Sequence, residues 1–477
     1  MMDITRKQYL ISATSKNLPE MNEIRLSCGA YLYVGTGLVI KDCTDAVGRK
    51  YIVLGNVFCA DRVGKTVEDD INAFSGDNVN ELIKNWVGRW VLIAENEIQI
   101  DACGLMAAFY MQGRDWCISS SLAVISSVVG RQPSYTVSDF GLNWQLLPDT
   151  LIDGVSALLC TQKFVVNDAQ LSVCFNPYIT DYSHLKTQEK VSRIAETLKN
   201  TLTNIAHYSG RDIWIALTAG RDSRLLIAAA LAAGVKFSTY TAQHDNISTS
   251  DRKIPAKLAR QFGFIHRYIK SSKVSSERIN DYLTFSVGNS KGADLEFYAR
   301  GQFDMIPSNA IVLRGAIFEA ARTYGRSIAS ADMNGFKKGI QAYYQTSLSN
   351  PKQSDAFDKW LEYVETNPIS YIDLRDRMYI EQRVGGWVAA IEQALDINEW
   401  ASVQIANCRD LVSLLLSATE QERESVALSM GCIEILYPQL NNYPYNQSSV
   451  YDKIRLVKNV LISPARLKRF FKRYSNE

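Results

Sequence analysis

The chain has no paired cysteines. Its nine cysteines are scattered singly, without a C-x-x-C pair or a Cys/His cluster, which argues against a disulfide scaffold and a structural zinc. The four histidines are isolated as well, so a histidine-based metal centre is not expected. Charge of one sign is also missing: 52 Lys and Arg face 50 Asp and Glu, a net of +2. Nothing therefore draws the chain as a whole to nucleic acid or to an anionic membrane. No apolar run approaches the roughly 20 residues that a bilayer span needs; the longest, "RLLIAAALAAGV", ends at a Gly stop. The amino end, "MMDITRKQYLISATSK", lacks the apolar core and small-residue site of a secretory signal. These absences predict a cytoplasmic protein with reduced thiols, no nucleic-acid partner and no membrane span. Only the carboxyl end, "ISPARLKRFFKRYSNE", is clearly basic, and it reads as a solvated amphipathic tail helix.

What is present is enough for two or three packed domains: 477 residues, 47% of them hydrophobic. The first ~180 residues read as closely spaced strands with turn residues between them. "AYLYVGTGLVI", "KYIVLGNVFCA", "GRWVLIAENEIQIDA", "AAFYMQGRDWCISSS" and "SALLCTQKFVVNDAQLSVCF" are rich in β-branched and aromatic residues. Turns are expected at Asn96–Glu97 and at Gly113–Asp115, and a helix at "NVNELIKNWVG", stopped by Gly88.

The rhythm changes between Asp181 and Lys190. "TQEKVSRIAETLKNTLTNIAHY" carries Val191, Ile194, Leu198, Leu202 and Ile205 at helical spacing, with Thr187 as the expected N-cap. Strands and helices then alternate: "DIWIAL", "SRLLIAAALAAG", "KFSTYTA", "PAKLARQFGF", "HRYIK", "SERINDYLTFSVG" and "AIVLRG". Repeated βαβ units predict a doubly wound parallel sheet with ligands beyond the carboxyl ends of its strands. The last ~150 residues read as mainly helical and contain Trp360, Trp387 and Trp400.

One loop in that series, "WIALTAGRDSRLL", joins a strand to a helix. Such a junction presents free backbone N–H groups and the positive end of the helix dipole. Thr218, Ala219 and Gly220 are small enough for an anion to approach closely, Thr218 and Ser223 add hydroxyls, and Arg221 or Arg224 can neutralise phosphate. Asp222 would repel phosphate unless Mg²⁺ bridges them; otherwise it is a plain N-cap. The loop matches neither G-x-x-x-x-G-K-[ST] nor G-x-G-x-x-G.

Thr-Ala-Gly-Arg-Asp-Ser resembles the S-G-G-x-D-S pyrophosphate loop of the N-type ATP pyrophosphatases. With "GRWVLIAENEIQIDACGLMAAFYMQGRDWCISSSLAVI" and "YIVLGNVFCADR" upstream, the chain resembles the asparagine-synthetase-like family. The resemblance implies an α/β fold in two parts. Residues 1–183 would form a four-layer α/β/β/α amidotransferase-like domain of the N-terminal-nucleophile type. Residues 184–477 would form a doubly wound ATP-pyrophosphatase domain with a helical extension. It implies ATP and Mg²⁺ as cofactors, with Thr218, Ala219, Gly220, Asp222, Ser223 and Arg224 around the pyrophosphate and Asp222 on the metal. Tyr240 and Thr241 would lie beside the adenine. The chemistry implied is attack of a carboxylate on the α-phosphate of ATP, then opening of the acyl-adenylate by an amine.

Three departures refine that expectation. Met2 and Asp3 stand where glutamine-hydrolysing members expose a cysteine, and the first cysteine is Cys28; no glutaminase activity is expected. The family's G-x-G-x-D-E-L-F-G-G-Y segment is represented by "LRGAIFEAARTYGR". There Glu319 replaces the metal-binding, catalytic carboxylate, and Arg314 or Arg322 contacts phosphate or substrate, unless this is an ordinary amphipathic helix. "DLRDRMYIEQRVGGW" offers Arg383 as the catalytic arginine with Glu381 behind it, against the alternative of a solvated charged helix. Lys453 and Lys458 lie in the region of the family's adenylation lysine but match no motif. The expected function is an ATP-dependent, AMP-forming amide ligase in secondary-metabolite, peptide or surface-polysaccharide biosynthesis, joining a small-molecule or peptide carboxylate to an amine. The alternative is a non-catalytic relative kept for binding or assembly. Sulfur transfer to tRNA would need a catalytic cysteine in the second half, where only Cys408 and Cys432 lie, and a basic face.

Overall fold

The computed structural model describes residues 2–139, 141–244, 247–270, 274–289, 301–446 and 452. The first half contains twelve strands. They are β1 (Tyr9–Ser12), β2 (Met21–Arg25), β3 (Tyr31–Gly35), β4 (Ile40–Thr44), β5 (Lys50–Cys59) and β6 (Trp86–Ile93). After these come β7 (Glu97–Ile100), β8 (Phe109–Met111), β9 (Cys117–Ser119), β10 (Ser156–Ala157), β11 (Gln162–Asn167) and β12 (Gln170–Phe175). They form two six-stranded antiparallel sheets, ordered β10-β8-β9-β1-β3-β2 and β12-β11-β7-β6-β5-β4. Alternation along each strand builds the layers. Tyr9 and Ile11 of β1 meet Val91 and Ile93 of β6 in a core shared by the two sheets, while Leu10 points to the opposite face.

Helices α1 (Val67–Ala73) and α2 (Val79–Leu82) share a core with Val53, Trp86 and Trp90 of the second sheet. On the other sheet, α3 (Leu122–Val129) packs together with helices 333–343 and 351–366 of the second half, through Phe336, Phe357 and Trp360. Gly88 does not stop a helix. It lies inside β6, where a side chain would meet Asn56 O at 2.0 Å, and α2 ends at Leu82.

Helix α4 (Thr187–Tyr208) follows the expected apolar stripe, but its N-cap is Lys186; the Thr187 hydroxyl instead donates to Glu422. The second half then forms a five-stranded, wholly parallel sheet. Its strands are β13 (Asp212–Ala216), β14 (Ser238–Gln243), β15 (Ile265–Lys270), β16 (Ala310–Arg314) and β17 (Ala401–Gln404), ordered β15-β14-β13-β16-β17. Ile213, Ile215, Ile311 and Leu313 pack on one face with α4, α5 (Arg221–Ala232) and helix 427–436. Trp214, Tyr240 and Val312 pack on the other with Phe303, Ile391 and Trp400. Both faces are covered, as a parallel sheet requires. The strand order reverses between β13 and β16, so the loops leaving these strands open a crevice at the switch point. Helix α6 (Thr249–Phe262) begins well before Pro255, where the sequence had suggested its start, because Ser248 caps it.

The halves are joined by buried polar contacts. Asp101 accepts from the N–H groups of Trp90, Leu105 and Met106 and from Asn407 Nδ2, which also donates to Gly88 O. Among the described residues, no helix is long and apolar enough to cross a membrane. The basic carboxyl end lies outside the described residues, as do Lys453 and Lys458.

Candidate functional site

The loop after β13 closes on itself. Thr218 N–H donates to Ser223 Oγ at 3.1 Å, and Gly220 N–H donates to Thr218 Oγ1 at 3.1 Å. Ala219 N–H donates to Asp251 Oδ1 at 2.7 Å. Gly220 is the N-cap of α5 and supplies no side-chain acceptor, so the first turn of that helix meets the crevice with its dipole uncapped. Thr218, Ala219, Gly220, Asp222 and Ser223 thus lie together on one turn at the start of α5.

Asp222 faces the loop after β16. A Cβ built on Gly315 would lie 3.6 Å from Asp222 Cβ, and Arg322 Nη2 sits 2.6 Å from Asp222 Oδ2. Asp222 Oδ1 is buried with no hydrogen-bond partner. Burial raises the Asp222 pKa above its usual value; Arg322 opposes that shift and the charge of Glu319 adds to it. A partly exposed carboxylate with one buried, unmatched oxygen, within electrostatic reach of Glu319, fits a hard divalent cation. Glu319 sits on a short 3₁₀ turn, Ala316–Ala321, and not on the longer amphipathic helix left open by the sequence.

Arg224 departs from the phosphate role. It is wholly buried, and it donates to the carbonyls of Ala219, Leu440, Tyr443 and Pro444 at 2.7–3.3 Å. Its guanidinium also lies 3.7 Å from the centre of the Tyr445 ring. These contacts bind residues 440–445 to the loop after β13, so the arginine works as a tether. Asn446 N–H completes the attachment by donating to Ala219 O.

On the other side of the loop a cavity of about 220 Å³ is lined by Thr218, Tyr240, Thr241, His244, Arg314 and Trp400, among others. Tyr240 and Thr241 therefore do share a wall with the cradle. Thr241 Oγ1 donates to Leu217 O, holding β14 against the loop. Arg314 pairs with the buried Glu392 at 3.2 Å. Burial lowers the pKa of nearby His266 to about 4, and its ring contacts Thr239 and Thr241.

Arg383 is placed differently from the cradle residues. It lies on a π-helical stretch, Tyr379–Val388, with its guanidinium 3.5 Å from the Trp387 ring centre and 5.3 Å from that of Trp144. Its charge reaches Tyr324, which also feels Glu319. Glu381 is fully occupied, accepting from Thr161, Trp360 and Arg377. It is a buried structural group and carries no solvated charge.

Sequence reasoning missed Asp251 and the 440–446 segment. The pattern Ser248-Thr249-Ser250-Asp251 signals a helix start, but its pairing with Ala219 is tertiary. Cys59, Asp61 and Asp70 also lie within 4.8 Å of one another by their ligand atoms. Lys65 pairs with both carboxylates there, which leaves little charge for a metal.

No family model and no curated protein matches the chain. Solved structures similar to the chain include two synthetases. NMN synthetase from Francisella tularensis is 14% identical, with 42% of this chain and 94% of that one covered and a TM-score of 0.20. Glutamine-dependent NAD+ synthetase from Acinetobacter baumannii, in complex with ADP, is 14% identical. The match covers 58% of this chain and 59% of that one, with a TM-score of 0.22.

Proposed function

We propose that the chain is an ATP-dependent, AMP-forming amide ligase of the asparagine-synthetase-like kind, without its own glutaminase. The observation that carries this reading is Asp222. One of its carboxylate oxygens is buried and unmatched while the side chain stays about a quarter exposed, beside an uncapped helix N-terminus at the switch point of a parallel sheet. A structural N-cap needs no such arrangement.

On this reading the adenosine of ATP enters the cavity walled by Tyr240 and Thr241, and its phosphates lie along residues 218–223. The N-terminal N–H groups of α5 and the hydroxyls of Thr218 and Ser223 receive the pyrophosphate as it gains charge. Asp222 and Glu319 hold Mg²⁺, which when bound neutralises phosphate charge and eases departure of the leaving group. Arg383, which makes no ion pair with a described residue, orients the anionic acyl substrate. The amine arrives from solution as ammonia or a primary amine. The first half, on this reading an amidotransferase-like sandwich without its nucleophile, shapes the substrate side through Trp144.

Calorimetric titration of Mg·ATP into the wild type and into Asp222→Asn tests the reading. Binding at least tenfold weaker in the variant, about 1.4 kcal/mol, supports it and directs a screen of carboxylate and amine pairs for AMP and pyrophosphate. No binding to either folded protein, with or without candidate substrates, favours the non-catalytic relative.

A further inference from the structure

The Asp222–Arg322 pair is only half satisfied. Arg322 Nη2 holds Asp222 Oδ2 at 2.6 Å, yet Asp222 Oδ1 and Arg322 Nε are both buried without partners. Open valences on charged groups are costly. Other arginines such as Arg224 and Arg409 also leave Nε unmatched, but they are buried, whereas this pair is about a quarter exposed and a ligand can reach it. An anion on the arginine together with a cation on the carboxylate would match both.

The surroundings allow that exchange through the side chain alone. Arg322 N–H donates to Glu319 O, and Arg322 O accepts from Arg423 Nη1 at 3.2 Å. Arg423 is held in turn by Asp376, which also holds Arg326. The backbone is pinned while the guanidinium remains about a quarter exposed, at 27%. Two carboxylates, Asp222 and Glu319, share this corner, and Arg322 supplies the positive charge a divalent ion would bring.

The geometry points to Arg322 as a resident counter-cation that keeps free divalent metal off Asp222 and re-pairs with polyphosphate, so that the site takes metal only together with polyphosphate. This rests on the reading of the crevice as a polyphosphate site. Linkage then requires metal and anion each to tighten the other's binding by the same factor.

The probes are Mn²⁺, followed by its electron paramagnetic resonance signal, and inorganic pyrophosphate, each added to the full chain. Without anion, Arg322→Gln is expected to bind Mn²⁺ about tenfold more tightly than the wild type, within the usual range of coupling between sites. That gain disappears in Asp222→Asn/Arg322→Gln. Pyrophosphate tightens Mn²⁺ binding in the wild type and loses most of that effect in Arg322→Gln. Equal Mn²⁺ affinity in the wild type and Arg322→Gln, or a gain that survives loss of Asp222, overturns the proposal. If Arg322→Gln does not fold, Arg322→Lys carries the test. It keeps the charge but lacks Nε–H, so it should still exclude free Mn²⁺ and lose pyrophosphate coupling; full coupling in that variant refutes the re-pairing.

The two readings fail separately. An Asp222-dependent Mn²⁺ gain with no pyrophosphate or ATP binding by any protein would overturn the ligase reading and, with it, the polyphosphate half of the exchange. Equal pyrophosphate coupling in the wild type and Arg322→Gln would overturn the exchange and leave the ligase reading standing.

Discussion

Replacing Arg224 by methionine separates a phosphate ligand from a tether. The guanidinium donates four hydrogen bonds to carbonyls and covers the Tyr445 ring, with no carboxylate among the described residues to balance its charge. Each such bond from a charged donor contributes ~1.5–3 kcal/mol. Burying the ion costs several kcal/mol, a cost visible in the lowering of the arginine's pKa by desolvation. Methionine keeps most of the packing and removes both terms. The net loss is at least about 2 kcal/mol, or at least about thirtyfold in the equilibrium for local opening. It should be confined to residues 437–446, because the other described partner, Ala219, stays fixed by Asp251. Hydrogen exchange followed by mass spectrometry reads this directly. Faster exchange in peptides covering 437–446, with α5 and β13 unchanged, is the expected result. Unchanged exchange there, combined with a large loss of pyrophosphate affinity, would refute the tether and restore the phosphate role implied by sequence.

Two further perturbations probe groups outside the cradle. Glu381→Gln leaves Arg377 buried without its carboxylate. It should lower stability by about 3–5 kcal/mol in urea unfolding, with Mg·ATP affinity per folded molecule unchanged; an affinity loss at full stability would place Glu381 in the site. His266 titrates near 4 when folded and near 6.5 when unfolded, so the unfolded chain binds more protons between those values. Its contribution is present above about pH 6.5 and is lost as pH falls toward 4, by about 2 kcal/mol once solvent screening is allowed for. Urea midpoints at several pH values check this slope, which His266→Gln should flatten.

The parallel sheet was legible because its signal is local. Ile213 and Ile215 alternate with Trp214 along β13 and serve two different cores, and the small residues that follow mark the strand end. The turn between β13 and α5 was legible for the same reason, since Thr218 to Ser223 form one turn bonded within itself. Gly88 was misread because a glycine that permits close strand approach looks, in sequence, like a helix stop. β17, four residues buried on both faces, has no alternation to display. Arg224 was misread because three of the four carbonyls that claim it lie more than 200 residues away.

That last failure bears on how the site is organised. A short, self-bonded loop can hold its own shape, but it cannot decide which of its charges face a ligand. Arg224 and Asp222 are two residues apart on the first turn of α5, yet the first is wholly buried and the second retains an unmatched oxygen. The difference comes from what each meets: main-chain carbonyls of the 440–444 segment on one side, and Glu319 and Arg322 on the other. On the proposed reading, ligand-facing chemistry therefore depends on the loop after β16 at least as much as on the loop after β13. A variant that alters residues 319–322 should change metal and anion binding while leaving the cradle's own hydrogen bonds intact.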